Sequence, residues 1–244
     1  MVEKRNATAV VVGAGDFIGA EIAKKFAAEG FTVFAGRRGG EKLAPLVAEI
    51  EKAGGKAFGK SLDAREEQQV VDFIAEADAH APLEVCIFNV GANVNFPFTE
   101  TTERVFRKVW EMACYGGFLT GREAAKHMLP RGKGAIFFTG ATASLRGGVG
   151  FSAFAAAKFG LRAVAQSAAR ELGPKNIHVA HLIIDSGVDT AWVRERIAAG
   201  GRGAPADGQL MRPAAVAEAY WSLYTQPRDA WTFEHEIRPF GEKW

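Results

Sequence analysis

Short apolar runs alternate with longer amphipathic segments along most of this chain. The short runs are rich in β-branched and aromatic residues and predict strands buried on both faces, at 7–13, 32–36, 84–89, 134–139 and 177–184. The longer segments have apolar residues three and four apart and predict helices, at 17–29, 41–53, 64–77, 102–129, 154–172 and 213–225. A last strand is expected near 232–238. This alternation predicts an α/β fold, a doubly wound parallel sheet with helices on both faces, in a single domain over residues 1–244.

Composition narrows the classes of partner. The chain has 244 residues, 48% hydrophobic and 24% charged, which suffices for the core of one α/β domain. A net charge of +2 with no block of like charge favours a small-molecule partner over nucleic acid or a membrane surface. The chain start lacks the apolar core of a signal peptide and no run reaches a membrane span, so a cytoplasmic location is expected. Cys86 and Cys114 suggest neither a disulfide framework nor a metal site.

A glycine-rich turn follows the first predicted strand and runs directly into a helix. Its glycines are Gly13, Gly15 and Gly19, and the residues before the last of them are Asp16, Phe17 and Ile18. In this context glycines let the backbone approach a pyrophosphate at a helix N-terminus. The GxGxxxG spacing is one residue longer than the strict dinucleotide fingerprint, so a merely tight strand-to-helix turn is the alternative.

Two arginines, Arg37 and Arg38, follow the second predicted strand. At this position an acidic residue would bind the ribose hydroxyls of NAD, whereas an arginine accepts the 2′-phosphate of NADP. Exposed arginines after a strand are often only solvated. Their distance from the glycine turn nevertheless matches an adenosine-phosphate site, so the sequence favours NADP over NAD.

Several motifs in order resemble the short-chain dehydrogenase/reductase family from Val10 to Pro239. The 13–19 turn is similar to its TGxxxGxG loop, and further matches occur at Asp63, Asn89, Gly91, Lys158 and Thr190. The resemblance implies a Rossmann-type fold and an oxidoreductase. It implies that Asp63 contacts the adenine, that Asn89 and Gly91 belong to the NNAG motif, that Lys158 holds the ribose and that Thr190 reaches the nicotinamide amide. Family members usually form homodimers or homotetramers.

The chain departs from this family at the positions that carry its chemistry. Family members use a tyrosine four residues before the lysine as the acid/base, a serine thirteen residues before that tyrosine, and an asparagine on the long preceding helix. Here these positions hold Phe154, Ala141 and Ala113. Residues four apart share a helix face, so Phe154 would lie beside Lys158, yet it has no proton to give. Lys158 is the one predicted catalytic residue that remains.

Other polar residues near the altered positions are candidates for a replacement acid, namely Tyr115, Thr142, Ser144, Ser152, His181 and Asp185. Each has a structural alternative. The hydroxyls of Thr142, Ser144 and Ser152 suit loop or helix-cap roles, Tyr115 suits packing, and His181 suits a core ring bound to a backbone carbonyl.

Three functions remain open at this point. The first is an NADP-dependent oxidoreductase that acts on a small, apolar carbonyl or alcohol by a non-standard mechanism. The second is a catalytically silent NADP(H)-binding sensor or regulatory subunit, favoured by Phe154 at the tyrosine position. The third is a structural partner that has lost the nucleotide, and the intact Gly13, Gly19 and Asp63 argue against it.

Overall fold

Seven parallel strands form one sheet in the computed structural model, which describes residues 4–200 and 204–242. In chain order the strands are β1 (Thr8–Val12), β2 (Thr32–Arg37), β3 (Lys56–Ser61), β4 (Leu83–Phe88), β5 (Gly134–Ala141), β6 (Ile177–Ile184) and β7 (Glu234–Ile237). Their spatial order is β3-β2-β1-β4-β5-β6-β7. The direction of winding therefore reverses between β1 and β4, which confirms the predicted doubly wound sheet. The predicted domain limits, residues 1 and 244, lie outside the described residues.

Helices cover both faces of this sheet. They are α1 (Ile18–Ala28), α2 (Ala44–Lys52), α3 (Glu67–His80), α4 (Glu103–Trp110), α5 (Gly116–Met128), α6 (Ser152–Leu172), α7 (Ala191–Ala199) and α8 (Pro213–Tyr224). On one face α1, α2 and α8 bury an apolar cluster that includes Phe26 and Tyr220, and on the other α3, α5 and α6 bury one that includes Ile74 and Leu161. None of the described helices is long and apolar enough to span a bilayer.

Three elements differ from the sequence-based expectation. Strand β3 was not among the predicted strands, because Lys56, Gly59 and Lys60 interrupt its apolar pattern at the sheet edge. Helix α7 was not predicted either, and it buries no residue, so it has no apolar periodicity to detect. The helix predicted at 102–129 is interrupted by a π-helical turn at Glu111–Tyr115 that separates α4 from α5.

The turn between β1 and α1 packs so tightly against neighbouring backbone that two of its positions require glycine. Gly13 has a φ of 89°, and a Cβ there would lie 2.8 Å from the backbone of Asn89. A Cβ on Gly19 would lie 2.4 Å from the carbonyl oxygen of Gly13. The turn therefore packs against the residue that follows β4, which places it at the point where the sheet winding reverses.

Candidate functional site

A cleft of about 1250 Å³ opens at the carboxyl ends of the central strands. Every residue predicted to bind the cofactor lines it: Gly13, Gly15, Asp16, Phe17, Ile18, Gly19, Arg37, Arg38, Asp63, Asn89, Gly91, Lys158 and Thr190. The cleft exceeds the volume of roughly 300–1,000 Å³ that is usual for a drug-sized ligand. It therefore has room for a dinucleotide together with a small second molecule.

The glycine turn presents bare backbone to this cleft. A Cβ built on Gly15 would meet no atom within 4 Å, so the turn is open on its cleft side. Helix α1 begins there without a side-chain cap, which leaves its first N–H groups without a side-chain acceptor. Uncapped N–H groups and the helix dipole together suit an anion such as a pyrophosphate.

A buried chain of hydrogen bonds connects this turn to α8. The side-chain amide of Asn89 donates to the Gly13 carbonyl at 3.1 Å, and the Thr139 hydroxyl donates to the Asn89 amide oxygen at 3.0 Å. The hydroxyl oxygens of Thr139 and Tyr220 are 2.6 Å apart. Because the single Thr139 proton is directed to Asn89, Tyr220 donates to Thr139. Burial raises the pKa of Tyr220, so its phenol stays protonated and the chain of donors is fixed.

Lys158 is buried in the wall of the cleft, with 2% of its surface exposed. Its ammonium donates to the carbonyl of Thr139 at 2.7 Å and to that of Val90 at 3.3 Å. Burial lowers its pKa from 10.5 to about 8, and Cys114 acts weakly in the opposite direction. An ammonium has three donors, and the third has no acceptor in the part of the chain that the structure describes. That donor is available to a ligand in the cleft.

Three positions at which the family resemblance predicts polar side chains hold hydrocarbon side chains instead. The Phe154 ring lines the cleft with its centroid 5.9 Å from the Lys158 Nζ. Ala141, the last residue of β5, also lines the cleft. Ala113 is fully buried within the π-helical turn. Neither a phenol, a serine hydroxyl nor an amide stands at these three positions.

Of the six candidate replacement acids, Thr142 and Asp185 form a bonded pair. Thr142 lines the cleft, and its hydroxyl donates to Asp185 Oδ1 at 2.6 Å. Asp185 is 5% exposed and lies near two guanidinium groups, with Arg238 Nη2 at 3.5 Å and Arg146 Nη2 at 3.7 Å. The Thr142 hydroxyl therefore connects the cleft to a buried carboxyl group that two guanidinium groups flank.

The other candidates have different positions. Ser144 is buried and accepts a hydrogen bond from the Ala141 N–H. Tyr115 stacks with one ring from α4 and one from α5. Ser152 lies in a separate hollow. His181 is fully buried, and the expectation that its ring binds a backbone carbonyl is wrong, because neither ring nitrogen has a hydrogen-bond partner among the described residues. Burial, with Lys158 nearby, lowers the His181 pKa to about 4. His181 is therefore neutral near pH 7.

Sequence reasoning missed several residues that line the cleft, namely Lys42, Asn93, Met112 and Arg146. Two of them had a local signal. Lys42 follows Arg38 by four residues in the segment after β2, and Arg146 directly precedes the loop glycines Gly147 and Gly148.

Comparison with known proteins identifies the family. The family model for short chain dehydrogenases matches residues 7–199, so the chain belongs to the short-chain dehydrogenase/reductase family of oxidoreductases. A short-chain dehydrogenase/reductase of Armillaria gallica is 33% identical over 175 residues, covering 70% of this chain and 67% of that protein. The crystal structure of a short-chain dehydrogenase from Rhodopseudomonas palustris is 69% identical, with a TM-score of 0.85, and the match covers 97% of this chain and 100% of that one.

A second similar structure is that of a variant actinorhodin polyketide ketoreductase with NADPH. It is 25% identical with a TM-score of 0.88, and the match covers 98% of each chain. The family resemblance read from the sequence motifs is thus confirmed.

The buried ammonium predicts a pH-dependent stability. Between about pH 8 and pH 10.5 the unfolded chain retains a proton on Lys158 that the folded chain has released, so the free energy of unfolding contributed by this residue rises with pH. At about 1.4 kcal/mol per pKa unit, the gain over this window is up to about 3 kcal/mol. Urea unfolding at pH 7 and pH 10 should show this gain for the wild type relative to Lys158→Met. Equal pH dependence of the two proteins would contradict it.

Proposed function

We propose that this chain is an NADP(H)-binding oxidoreductase that acts, as a single domain, on a small apolar carbonyl or alcohol by a mechanism that does not use the family's tyrosine. The observation that carries the proposal is the buried Lys158 ammonium, which keeps one donor for the cleft although the ring beside it, Phe154, has no hydroxyl for it to assist. Desolvation of a lysine is costly. Retaining it without a phenol partner is best explained by a ligand that uses the free donor. A cytoplasmic location remains a prediction from the sequence.

The residues that line the cleft fit the parts of a dinucleotide. The open turn at Gly15 and the uncapped start of α1 suit the pyrophosphate. The third donor of Lys158 suits the nicotinamide ribose, while Asp63 and Thr190 suit the adenine and the carboxamide. The remaining predicted residues, Gly13, Asp16, Phe17, Ile18, Gly19, Asn89 and Gly91, shape the backbone between these groups. The NADPH in the similar actinorhodin ketoreductase supports the same cofactor here.

The non-standard mechanism rests on Thr142 and Asp185. The nicotinamide supplies hydride chemistry when it is bound. In the direction of alcohol oxidation, the substrate hydroxyl gives its proton to Thr142 Oγ1, and the Thr142 proton passes to Asp185 Oδ1, 2.6 Å away. Carbonyl reduction runs this transfer in reverse and starts with a proton on Asp185, which passes to Thr142 as the Thr142 proton passes to the substrate oxygen. Several apolar residues also line the cleft and favour an apolar substrate, namely Met112, Ala141, Ala143, Phe151, Phe154 and Trp192.

A catalytically silent NADP(H)-binding sensor is the second candidate. The hydrocarbon at Phe154, Ala141 and Ala113 favours it, because the catalytic tyrosine, serine and asparagine of the family would all be missing. Loss of a general acid lowers the rate about 10²–10⁴-fold, and residues that act as a unit are lost together. In this function the protein binds NADP(H) in the same cleft and responds to its redox state, but it does not oxidise or reduce the cofactor.

We further propose a homodimer or homotetramer. Trp110, Tyr115 and Phe118 stack in a row, with ring centroids 6.1 and 6.5 Å apart, and Trp110 and Phe118 are about 40% exposed. The row reaches α6, because a Cβ on Gly160 would lie within 4 Å of Trp110, and the neighbouring Phe159 is also exposed. An exposed apolar patch of this kind supports a protein interface.

Cofactor binding is tested first. The fluorescence of NADPH should increase when it binds the purified protein, and the signal should saturate. Lys158→Ala should weaken binding about tenfold, because a charge-assisted hydrogen bond to the ribose is lost. Lys175→Ala removes an exposed lysine in the short turn that follows α6 and should leave the affinity unchanged. Absence of any NADPH binding would contradict the proposed function in both of its forms.

Turnover separates the enzyme from the sensor. Consumption of NADPH at 340 nm should be slow with a panel of apolar aldehydes and ketones, and Thr142→Val should abolish it because the route to Asp185 is lost. Phe154→Tyr alone should gain little, whereas Phe154→Tyr with Ala141→Ser should gain about 10²-fold or more. Phe159→Tyr, on the same helix but outside the cleft, is the matched control. NADPH binding without consumption by the wild type would favour the sensor.

The oligomer is tested by sedimentation velocity. The wild type should sediment as a dimer or tetramer, and Phe118→Glu should shift it toward monomer because a charge would be buried in the apolar patch. Val149→Glu introduces the same charge at a loop residue that is 98% exposed and should leave the distribution unchanged. A wild type that sediments only as monomer would refute the interface.

A further inference from the structure

The end of the cleft that is formed by α6 and the loops after β5 and β6 is lined by cations and not by acids. Its charged side chains are Lys158 and Arg146. No carboxylate of the described residues lines this end, and the nearby Asp185 is buried with 5% of its surface exposed. Since the free donor of Lys158 suits the nicotinamide ribose, Arg146 is the cation that a second molecule would meet there.

The Arg146 side chain is not committed to a partner within the chain. It is 62% exposed, and its Nη2 lies 3.7 Å from Asp185 Oδ1, which is longer than a hydrogen bond. Its guanidinium donates no hydrogen bond to any residue that the structure describes. Asp185 is also close to Arg238, whose Nη2 is 3.5 Å from Oδ2. The N–H donors of Arg146 are therefore available to an anion, and Asp185 keeps a neighbouring cation if they turn toward the cleft.

The backbone that carries Arg146 is fixed against Thr142. The N–H groups of Leu145 and Arg146 both donate to the Thr142 carbonyl, at 3.0 and 3.2 Å. In the same turn the Ala141 N–H donates to the Ser144 hydroxyl at 3.1 Å. A backbone hydrogen bond between residues four apart closes one helical turn, which brings their side chains to one side. The Thr142 hydroxyl and the Arg146 guanidinium therefore have a set spacing.

These two side chains converge on one atom. Thr142 Oγ1 lies 2.6 Å and Arg146 Nη2 lies 3.7 Å from Asp185 Oδ1. The hydroxyl that exchanges a proton with the substrate in the proposed mechanism is thus a neighbour of the guanidinium. A carboxylate bound to Arg146 would bring only its nearest carbons within reach of Thr142.

We propose that the substrate is an oxo acid, or the corresponding hydroxy acid, whose reacting carbon is one or two bonds from a carboxylate that Arg146 binds. The inference rests on the proposed function and refines its substrate class to an apolar body with one anionic group. The planar guanidinium matches both oxygens of a carboxylate. The apolar body lies against Met112, Phe151 and Trp192, which line the same cleft. Arg146 is then a specificity-determining residue.

Calorimetric titration of the protein saturated with NADP⁺ tests this site without turnover, because an oxidised cofactor does not reduce an oxo acid. Benzoylformate should bind about tenfold or more tightly than its methyl ester, the difference expected for one charge-assisted pair. Arg146→Gln should remove this preference, and Arg146→Lys should keep part of it, because the charge remains but the planar fork is lost. Arg170→Gln removes an exposed arginine of α6 outside the cleft and should keep the full preference.

The spacing between the carboxylate and the reacting carbon is tested by turnover. Reduction of each carbonyl consumes one NADPH and one proton, and it is followed at 340 nm. Arg146→Gln should lower kcat/KM about tenfold or more for benzoylformate, and by less for 4-acetylbenzoate, whose carboxylate is across the ring from its carbonyl. An equal loss with both compounds would contradict the spacing. In a protein without turnover, the calorimetric preference alone decides.

The outcomes distinguish this inference from the function on which it rests. A wild type that binds NADP⁺ but holds benzoylformate no more tightly than the ester would overturn the inference and leave the proposed function intact. If Arg146→Gln weakened the acid and the ester equally, Arg146 would act only by supporting Asp185, and the carboxylate site would be refuted. Failure of the wild type to bind any dinucleotide would overturn both.

Discussion

The buried ammonium of Lys158 is the contact on which the rest of the site depends. It comes from α6 and reaches the carbonyls of Thr139, in β5, and Val90, just beyond β4. The Thr139 side chain continues the connection through Asn89 to the glycine turn. One cation thus fixes the relative positions of a helix, two strand ends and the turn. A desolvated charge is tolerated only where its partners are well placed, so the geometry of the cleft and the position of this lysine are set together.

The chain combines this preserved cation with a hydrocarbon wall. In the family, such a lysine assists a phenol, but here a phenyl ring lies 5.9 Å from the ammonium. A hydrogen-bonded polar pair lies elsewhere, at Thr142 and Asp185, and two guanidinium groups lie 3.5 and 3.7 Å from the Asp185 carboxyl group. In the proposed function, binding and proton transfer are carried by separate parts of the cleft. Dinucleotide binding would then be independent of the rate of turnover.

The sequence predicts the elements that a local residue pattern specifies, and it misses the contacts between residues that are distant along the chain. Strand β1, the glycine turn and α6 followed from apolar periodicity and glycine spacing, since each is specified by neighbouring residues. Strand β3 and α7 lack that periodicity, because one is a half-exposed edge strand and the other buries nothing. The pairs Asp16–Arg37 and Thr142–Asp185 join residues 21 and 43 positions apart, so only the folded sheet brings them together.

The central claim is that the cleft holds a phosphorylated nicotinamide dinucleotide against Lys158, with no phenol, serine hydroxyl or asparagine amide beside the reacting carbon. A crystal structure of the chain soaked with NADP⁺ tests it most directly. The account predicts the pyrophosphate at the start of α1, the nicotinamide ribose within hydrogen-bond distance of the Lys158 Nζ, and Phe154 and Ala141 against the nicotinamide face. A dinucleotide bound away from Lys158, or an imidazole or phenol hydroxyl within hydrogen-bond reach of a group at the nicotinamide C4, would contradict it.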